Sequence, residues 1–164
     1  ILKAMVQRFR SVYGPGLSAR QAENRRTLHE VVTMASVVEK ETSSRKEMPL
    51  IASVLVNRLR VGMPLQCDPT VIYGIEDFDG NLTREHLRTP NPYNTYLNKG
   101  LPPGPICNPG LDALKAVLFP ADTSYLYFVS KNDGTHLFSP TLEEHNRAVE
   151  EYQKKCGKSQ GYGK

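Results

Sequence analysis

Glu39 and Glu41 close the run Thr27-Leu-His-Glu-Val-Val-Thr-Met-Ala-Ser-Val-Val-Glu-Lys-Glu-Thr42, and this pair is where the sequence could do acid–base chemistry. Read as a helix, the run carries Val31, Met34, Ala35 and Val38 on one apolar face. Glu41 follows Val38 by three residues and Met34 by seven, so it projects from that face, whereas Glu39 is rotated onto the flank. A carboxylate on an apolar face must be paired, hydrogen-bonded, protonated or set in a cleft. Burial also raises its pKa toward the range in which a carboxyl group donates a proton at neutral pH. The plain alternative is a helix-end glutamate that reaches water.

Other chemistries find little support. His29, His86, His136 and His145 lack the H-x-x-x-H and H-E-x-x-H spacings of zinc sites, and Cys67, Cys107 and Cys156 form no C-x-x-C pair, so neither metal nor cofactor is expected. No G-x-S-x-G elbow, P-loop or dinucleotide fingerprint occurs. The net charge of +4 and a pI near 9.0 come partly from Arg8, Arg10, Arg20, Arg25 and Arg26. Without zinc-finger spacing, an aromatic-basic signature or an acid-free basic block, these read as a solvated face and no nucleic acid is expected. Carbohydrate fits what remains. Sugar rings offer apolar faces to aromatic side chains and hydroxyl and amide groups to polar ones, and cleaving a glycosidic bond needs an acid for the departing oxygen. Glu41 is the candidate acid; Tyr73, Tyr93 and Tyr96 with Thr70, Asn94 and Thr95 are candidate sugar contacts, or else they pack their loop onto the helices.

The elements that must position these residues follow from caps and period. Leu2, Met5, Val6 and Phe9 predict a packing helix to about Tyr13, ended by Gly14-Pro15-Gly16, with a short helix over Leu17 to Asn24. Thr27 and Glu30 form a capping box for the Glu41 helix. A second long helix starts near Lys46 or Glu47, faces inward with Ile51, Val54, Leu55 and Leu59, and ends at Gly62. From Met63 to Gly110 the chain is rich in Pro, Gly, Asn and Thr, a long irregular region suited to lining a groove. Within it Asp68 and Pro69 predict a capped short helix, Thr83 to Arg88 a turn, and Asn108 with Pro109 the start of a helix to about Leu118. Tyr125 to Val129 and His136 to Ser139 read as strands joined through Asn132-Asp133-Gly134. Thr141 and Glu144 then cap a helix with Leu142, His145, Val149 and Tyr152 on related faces, ending near Gly157.

Several phrases are more specific than composition. Ala35-Ser-Val-Val-Glu-Lys-Glu-Thr42, Ile51-Ala-Ser-Val-Leu-Val-Asn-Arg-Leu-Arg60 and Leu65-Gln-Cys-Asp-Pro-Thr-Val-Ile-Tyr-Gly74 resemble the MltG (YceG-like) endolytic murein transglycosylases. Tyr93-Asn-Thr-Tyr96, Gly100-Leu-Pro-Pro-Gly-Pro-Ile106, Asn108-Pro-Gly110, Tyr125-Leu-Tyr-Phe-Val129 and Glu144-His-Asn146 continue the resemblance in the same order, so that it covers most of Thr33 to Val149. It implies cleavage of peptidoglycan between N-acetylmuramic acid and N-acetylglucosamine without water, leaving a 1,6-anhydromuramyl end. The family's catalytic glutamate falls on Glu41, and the resemblance places Asp68, Thr70, Tyr73, Tyr93, Asn94, Thr95, Tyr96, His145 and Asn146 along the groove. His145 has the alternative of an ordinary hydrogen-bonded helix histidine.

The resulting expectation is an α+β fold: a mainly helical single domain over 1–164, with a small antiparallel β element and a groove-lining loop region. It divides into a helical lead-in (1–26), a catalytic core (27–157) and a flexible tail (158–164). The resemblance further implies peptidoglycan strands as substrate, peptidoglycan synthases as partners, and a place on the extracytoplasmic face of the bacterial cytoplasmic membrane. There the full-length protein is held by an N-terminal helix; the chain resembles the catalytic portion alone. Two rivals stand beside this reading, a water-using muramidase with Asp68 or Glu39 as second carboxylate, and a glycan-binding module that does not cut. Cys67 stands where the family pattern has Thr and Cys107 where a small residue is usual, which leaves a disulfide between them or two free thiols.

Overall fold

The computed structural model describes residues 1–155, and the expected tail over 158–164, Cys156 and the helix end near Gly157 lie outside the described residues. The centre is α2 (Leu28–Glu41), which packs against α3 (Met48–Arg60) and α5 (Leu111–Leu118). Its start is fixed locally: Glu30 N–H donates to Thr27 Oγ1 at 3.2 Å while Thr27 N–H donates to Glu30 Oε2 at 2.7 Å, so two orphan donors of the first turn are answered at once. Val31, Met34, Ala35, Val37 and Val38 are fully buried and join Ile51, Leu55, Leu114, Val117 and Leu118 in one core. Leu65, Cys67 and Ile106 from the irregular region complete it.

α3 begins after Glu47 with Pro49 in its first turn, where the missing N–H is harmless. Its end is a Schellman motif. Gly62 takes φ 71°, its N–H donates to Leu59 O at 3.2 Å, and Met63 N–H donates to Arg58 O at 2.9 Å. α1 (Leu2–Glu23) is two helical pieces, because Gly14 (φ 52°, ψ 175°) breaks the helix where the sequence predicts. Its second piece is tied to α5: Arg20 Nε and Asn24 Nδ2 at its C-cap donate to Leu118 O at 3.1 and 2.9 Å, capping α5. The packing role expected of the first piece holds only from Phe9 and Tyr13 onward, since Leu2, Met5 and Val6 are exposed.

Two helix starts differ from expectation. α4 (Asp68–Tyr73) has Cys67 at its N-cap and Asp68 inside the first turn, because the Asp68 carboxylate accepts from Tyr96 instead of capping. α5 starts after Gly110, two residues beyond Pro109, because Gly110 N–H is taken by the Glu39 carboxylate at 3.0 Å and Asn108 is left exposed. β1 (Tyr127–Ser130) and β2 (His136–Ser139) pair antiparallel with Phe128 opposite Phe138, turning through Asn132 (φ 64°) and Gly134 (φ 85°). β1 begins later than Tyr125 because Asn57 Nδ2 draws the Thr123 and Tyr125 carbonyls toward α3 at 2.9 and 3.0 Å. Glu47 ties this hairpin to α3, accepting from His136 N–H at 2.9 Å and pairing with His136 Nδ1 at 2.8 Å. Thr141 caps α6 (Leu142–Val149) through Glu144 N–H at 3.3 Å, and a π-helical turn (Glu150–Lys155) follows. The elements so arranged are an α+β fold, mainly helical with one two-stranded sheet.

Candidate active site

The last turn of α2 separates its two acids as the helical period requires. Glu39 faces α5 and holds the amide of Gly110, a structural duty. Glu41 turns to line a cavity of about 260 Å³ together with Arg58, Gln66, Asp68, Tyr96, Phe128 and His145. It also borders, together with Glu39, a larger cavity of about 720 Å³ between the end of α2 and the start of α5. Its Oε1 is shut off from solvent. Burial therefore dominates and raises the carboxyl pKa to about 7; a hydrogen bond with the Cys67 thiol opposes this, the Asp68 charge adds to it and the Arg58 charge opposes it. The group is thus poised between acid and base at neutral pH, the condition for efficient proton transfer in both directions.

Arg58 forms the inner wall. Its guanidinium donates to Leu126 O at 2.6 Å and Leu65 O at 2.7 Å and lies 5.3 Å from the Tyr127 ring centroid. It is nearly buried, and no ion pair among the described residues involves it. Asp68 stands exposed at the mouth and accepts from Tyr96 Oη at 2.6 Å; burial, then that bond, raises the phenol's pKa, so Tyr96 remains a donor. Cys67 is buried with its thiol pKa raised, chiefly by burial, and Cys107 donates to Ser36 O at 3.3 Å; both are free thiols.

The sequence-proposed groove residues divide. Glu41, Asp68, Tyr96 and His145 share the small cavity. Thr70, Asn94 and Thr95 are not among the residues lining it; they are fully buried, Thr70 in α4 and the other two in the loop that carries Tyr96. Asn94 Nδ2 gathers the carbonyls of Leu87 and Thr89 at 3.2 and 2.9 Å while its Oδ1 accepts from Tyr96 N–H at 3.0 Å. Thr95 Oγ1 accepts from Cys67 N–H at 3.0 Å and bonds Thr70 Oγ1 at 2.8 Å. Tyr73 and Tyr93 form a tilted pair, centroids 4.8 Å apart, and like Asn146, exposed on α6, are not among the residues lining the small cavity. Replacing Asn94 with Ala is accordingly expected to lower stability in urea by about 2–3 kcal/mol, since several backbone groups lose their partner at once. Tyr73→Ala is expected to stay within about 0.5 kcal/mol of the parent in the same melts.

The sequence reading missed Arg58, Gln66 and Phe128. For Arg58 a signal existed, because it continues the inward face of Ile51, Val54 and Leu55 by three and four residues, as Glu41 does on α2. Gln66 takes the left-handed conformation, φ 52°, which nothing local announces for a glutamine.

A model described as the YceG-like family matches residues 1–151. The endolytic murein transglycosylase of Bacillus subtilis (strain 168) is 42% identical over 152 residues, 93% of this chain and 42% of that protein. The protein of the same name from Streptococcus pneumoniae serotype 2 (strain D39 / NCTC 7466) is 35% identical over 132 residues, 77% of this chain and 24% of that one. The crystal structure of a YceG-like protein from Listeria monocytogenes superposes with a TM-score of 0.74 at 41% identity, over 81% of this chain and 43% of that one. The chain thus spans less than half the length of each.

Proposed function

We propose, from the premise that this chain belongs to the YceG-like family, that it cuts peptidoglycan strands internally as a lytic transglycosylase. The observation that carries the reading is Glu41, a carboxyl group with one oxygen sealed from solvent, a pKa raised to about 7, and a cavity against it. Protonated, it donates to the oxygen bridging N-acetylmuramic acid and N-acetylglucosamine; the bond to the muramyl anomeric carbon breaks and its electron pair leaves with that oxygen. The carboxylate then takes the proton of the muramyl 6-hydroxyl, whose oxygen closes on the anomeric carbon. The 1,6-anhydro ring forms, Glu41 regains its proton, and no water is consumed. One carboxyl group suffices.

Asp68 favours the rival muramidase, since it shares the smaller cavity; Glu39 shares the larger one, but its carboxylate is engaged by Gly110 N–H. The two mechanisms separate by mass, because an anhydro end is one water lighter than a reducing end. Digested strands are expected to carry anhydro ends, and Asp68→Asn is expected to keep them, with a maximal rate within about 10-fold of the parent. The same substitution removes a charge that raises the Glu41 pKa, so the alkaline limb of the rate profile moves to lower pH. Reducing ends from the parent, or loss of all cleavage in Asp68→Asn, would favour the muramidase. A peptidoglycan substrate supports a location on the outer side of the cytoplasmic membrane, where a membrane segment would hold the domain beside the peptidoglycan synthases. Among the described residues no helix is long and apolar enough to cross a membrane.

A further inference from the structure

We propose that Gln66 and His145 form a recognition site for the acetamido group of the muramyl ring, with Phe128 packing on its methyl; this rests on the strand-cleaving reading and deepens it. The first observation is the backbone of Gln66. Glutamine has no intrinsic reason to adopt φ 52°, and the conformation is imposed from outside: Gln66 N–H donates to Thr95 O at 3.0 Å, while the neighbouring Cys67 N–H is held by Thr95 Oγ1. Strain maintained at a cavity wall has a use there. Here it puts a side-chain amide beside Glu41, solvent-exposed apart from a long contact of 3.5 Å between its Oε1 and Arg58 Nη1.

The second observation is the ring of His145, stacked on Tyr127 with centroids 5.2 Å apart. Its Nδ1 is sealed from solvent and has no partner. An orphan N–H is rarer and more costly in a protein interior than an orphan lone pair, so the hydrogen belongs on Nε2. Burial and the Arg58 cation both hold its pKa below the usual value, which keeps the ring neutral. His145 is therefore a neutral donor on the cavity wall, and Gln66 Oε1 is an acceptor on the same wall.

A trans amide points its N–H and its C=O in opposite directions and needs one acceptor and one donor from separate elements. Gln66, from the loop after α3, and His145, from α6, are such a pair, and the Phe128 ring suits the methyl. Hydroxyl groups can rotate to either partner and demand no such division. The 260 Å³ cavity is of the size of one sugar ring, which places this recognition at the ring whose bond Glu41 attacks.

The test compares chemically de-N-acetylated strands with the same strands re-acetylated, reading kcat/KM from the release of new ends. The parent protein is expected to cleave the re-acetylated strands about 100-fold faster, as a site built to hydrogen-bond a group rejects the analogue lacking it. Gln66→Met and His145→Leu are each expected to bring that ratio down to about 10 or lower, through slower cleavage of acetylated strands alone, and His145→Gln, which restores a donor, recovers part of it. Equal rates on the two substrates by the parent, or an undiminished ratio in both Gln66→Met and His145→Leu, would overturn the assignment. Cleavage of neither substrate by the parent would instead remove the strand-cleaving reading, and the acetamido site with it. The parent ratio keeps the test decisive even if a variant fails to fold.

Discussion

Glu41→Gln is expected to lower strand cleavage by at least about 1,000-fold, at the upper end of what one acid–base group contributes, because the same carboxyl group serves as acid and then as base. Glutamine keeps the shape and cannot transfer the proton, so the loss is in kcat. The substitution should also change stability in a pH-dependent way. The folded-state pKa of about 7 lies above the ordinary glutamate value, so the fold favours the protonated form. The stability associated with Glu41 is complete below the ordinary glutamate range, declines as pH rises, and reaches its floor above about 7. Glutamine resembles the protonated form at every pH. Urea melts should therefore show little difference at pH 4 and a more stable variant at pH 8, by on the order of 2 kcal/mol once solvent at the outer oxygen is allowed for. A variant that cuts as fast as the parent would remove Glu41 from the chemistry. One that gains nothing at pH 8 would remove the raised pKa.

What sequence reveals about such a site depends on the range of the forces that set it. The position of Glu41 was legible because two local rules fix it, the Thr27–Glu30 box that starts α2 and the 3.6-residue period that turns Glu41 toward the small cavity and Glu39 toward α5. The hairpin was legible for a similar reason, since Asn132-Asp133-Gly134 encodes its own turn. Periodicity failed at Leu2, Met5 and Val6, because it says which side chains share a face and not what covers that face. In the long loop residue type is ambiguous: Asn94 and Thr95 are as good for binding a sugar as for binding backbone, and only tertiary structure shows the carbonyls and amides of their own loop that they bond. The expected starts of α4 and α5 slipped for a related reason. Distant groups, the Tyr96 hydroxyl and the Glu39 carboxylate, took the positions that local capping rules assign to neighbours.

Arg58→Met is expected to cost about 3–4 kcal/mol in urea melts, the largest stability effect foreseen for the site. The guanidinium joins three parts of the fold, reaching from α3 to Leu126 before β1 and to Leu65 in the loop that presents Gln66, and methionine leaves those carbonyls without their charged donor. Arg58→Lys should recover only part of the loss, because an ammonium group is a point charge and cannot span both carbonyls with a planar fork. The two variants should part company on electrostatics. Arg58 holds down the Glu41 pKa, so its removal in Arg58→Met moves the alkaline limb of the rate profile to higher pH, while Arg58→Lys keeps the charge and leaves the limb near its original place. Measured together, the melts report the hydrogen-bonding fork and the pH profiles report the cation. An alkaline limb that shifts equally in both variants would mean that Arg58 acts on Glu41 through the architecture of the cavity and not through its charge.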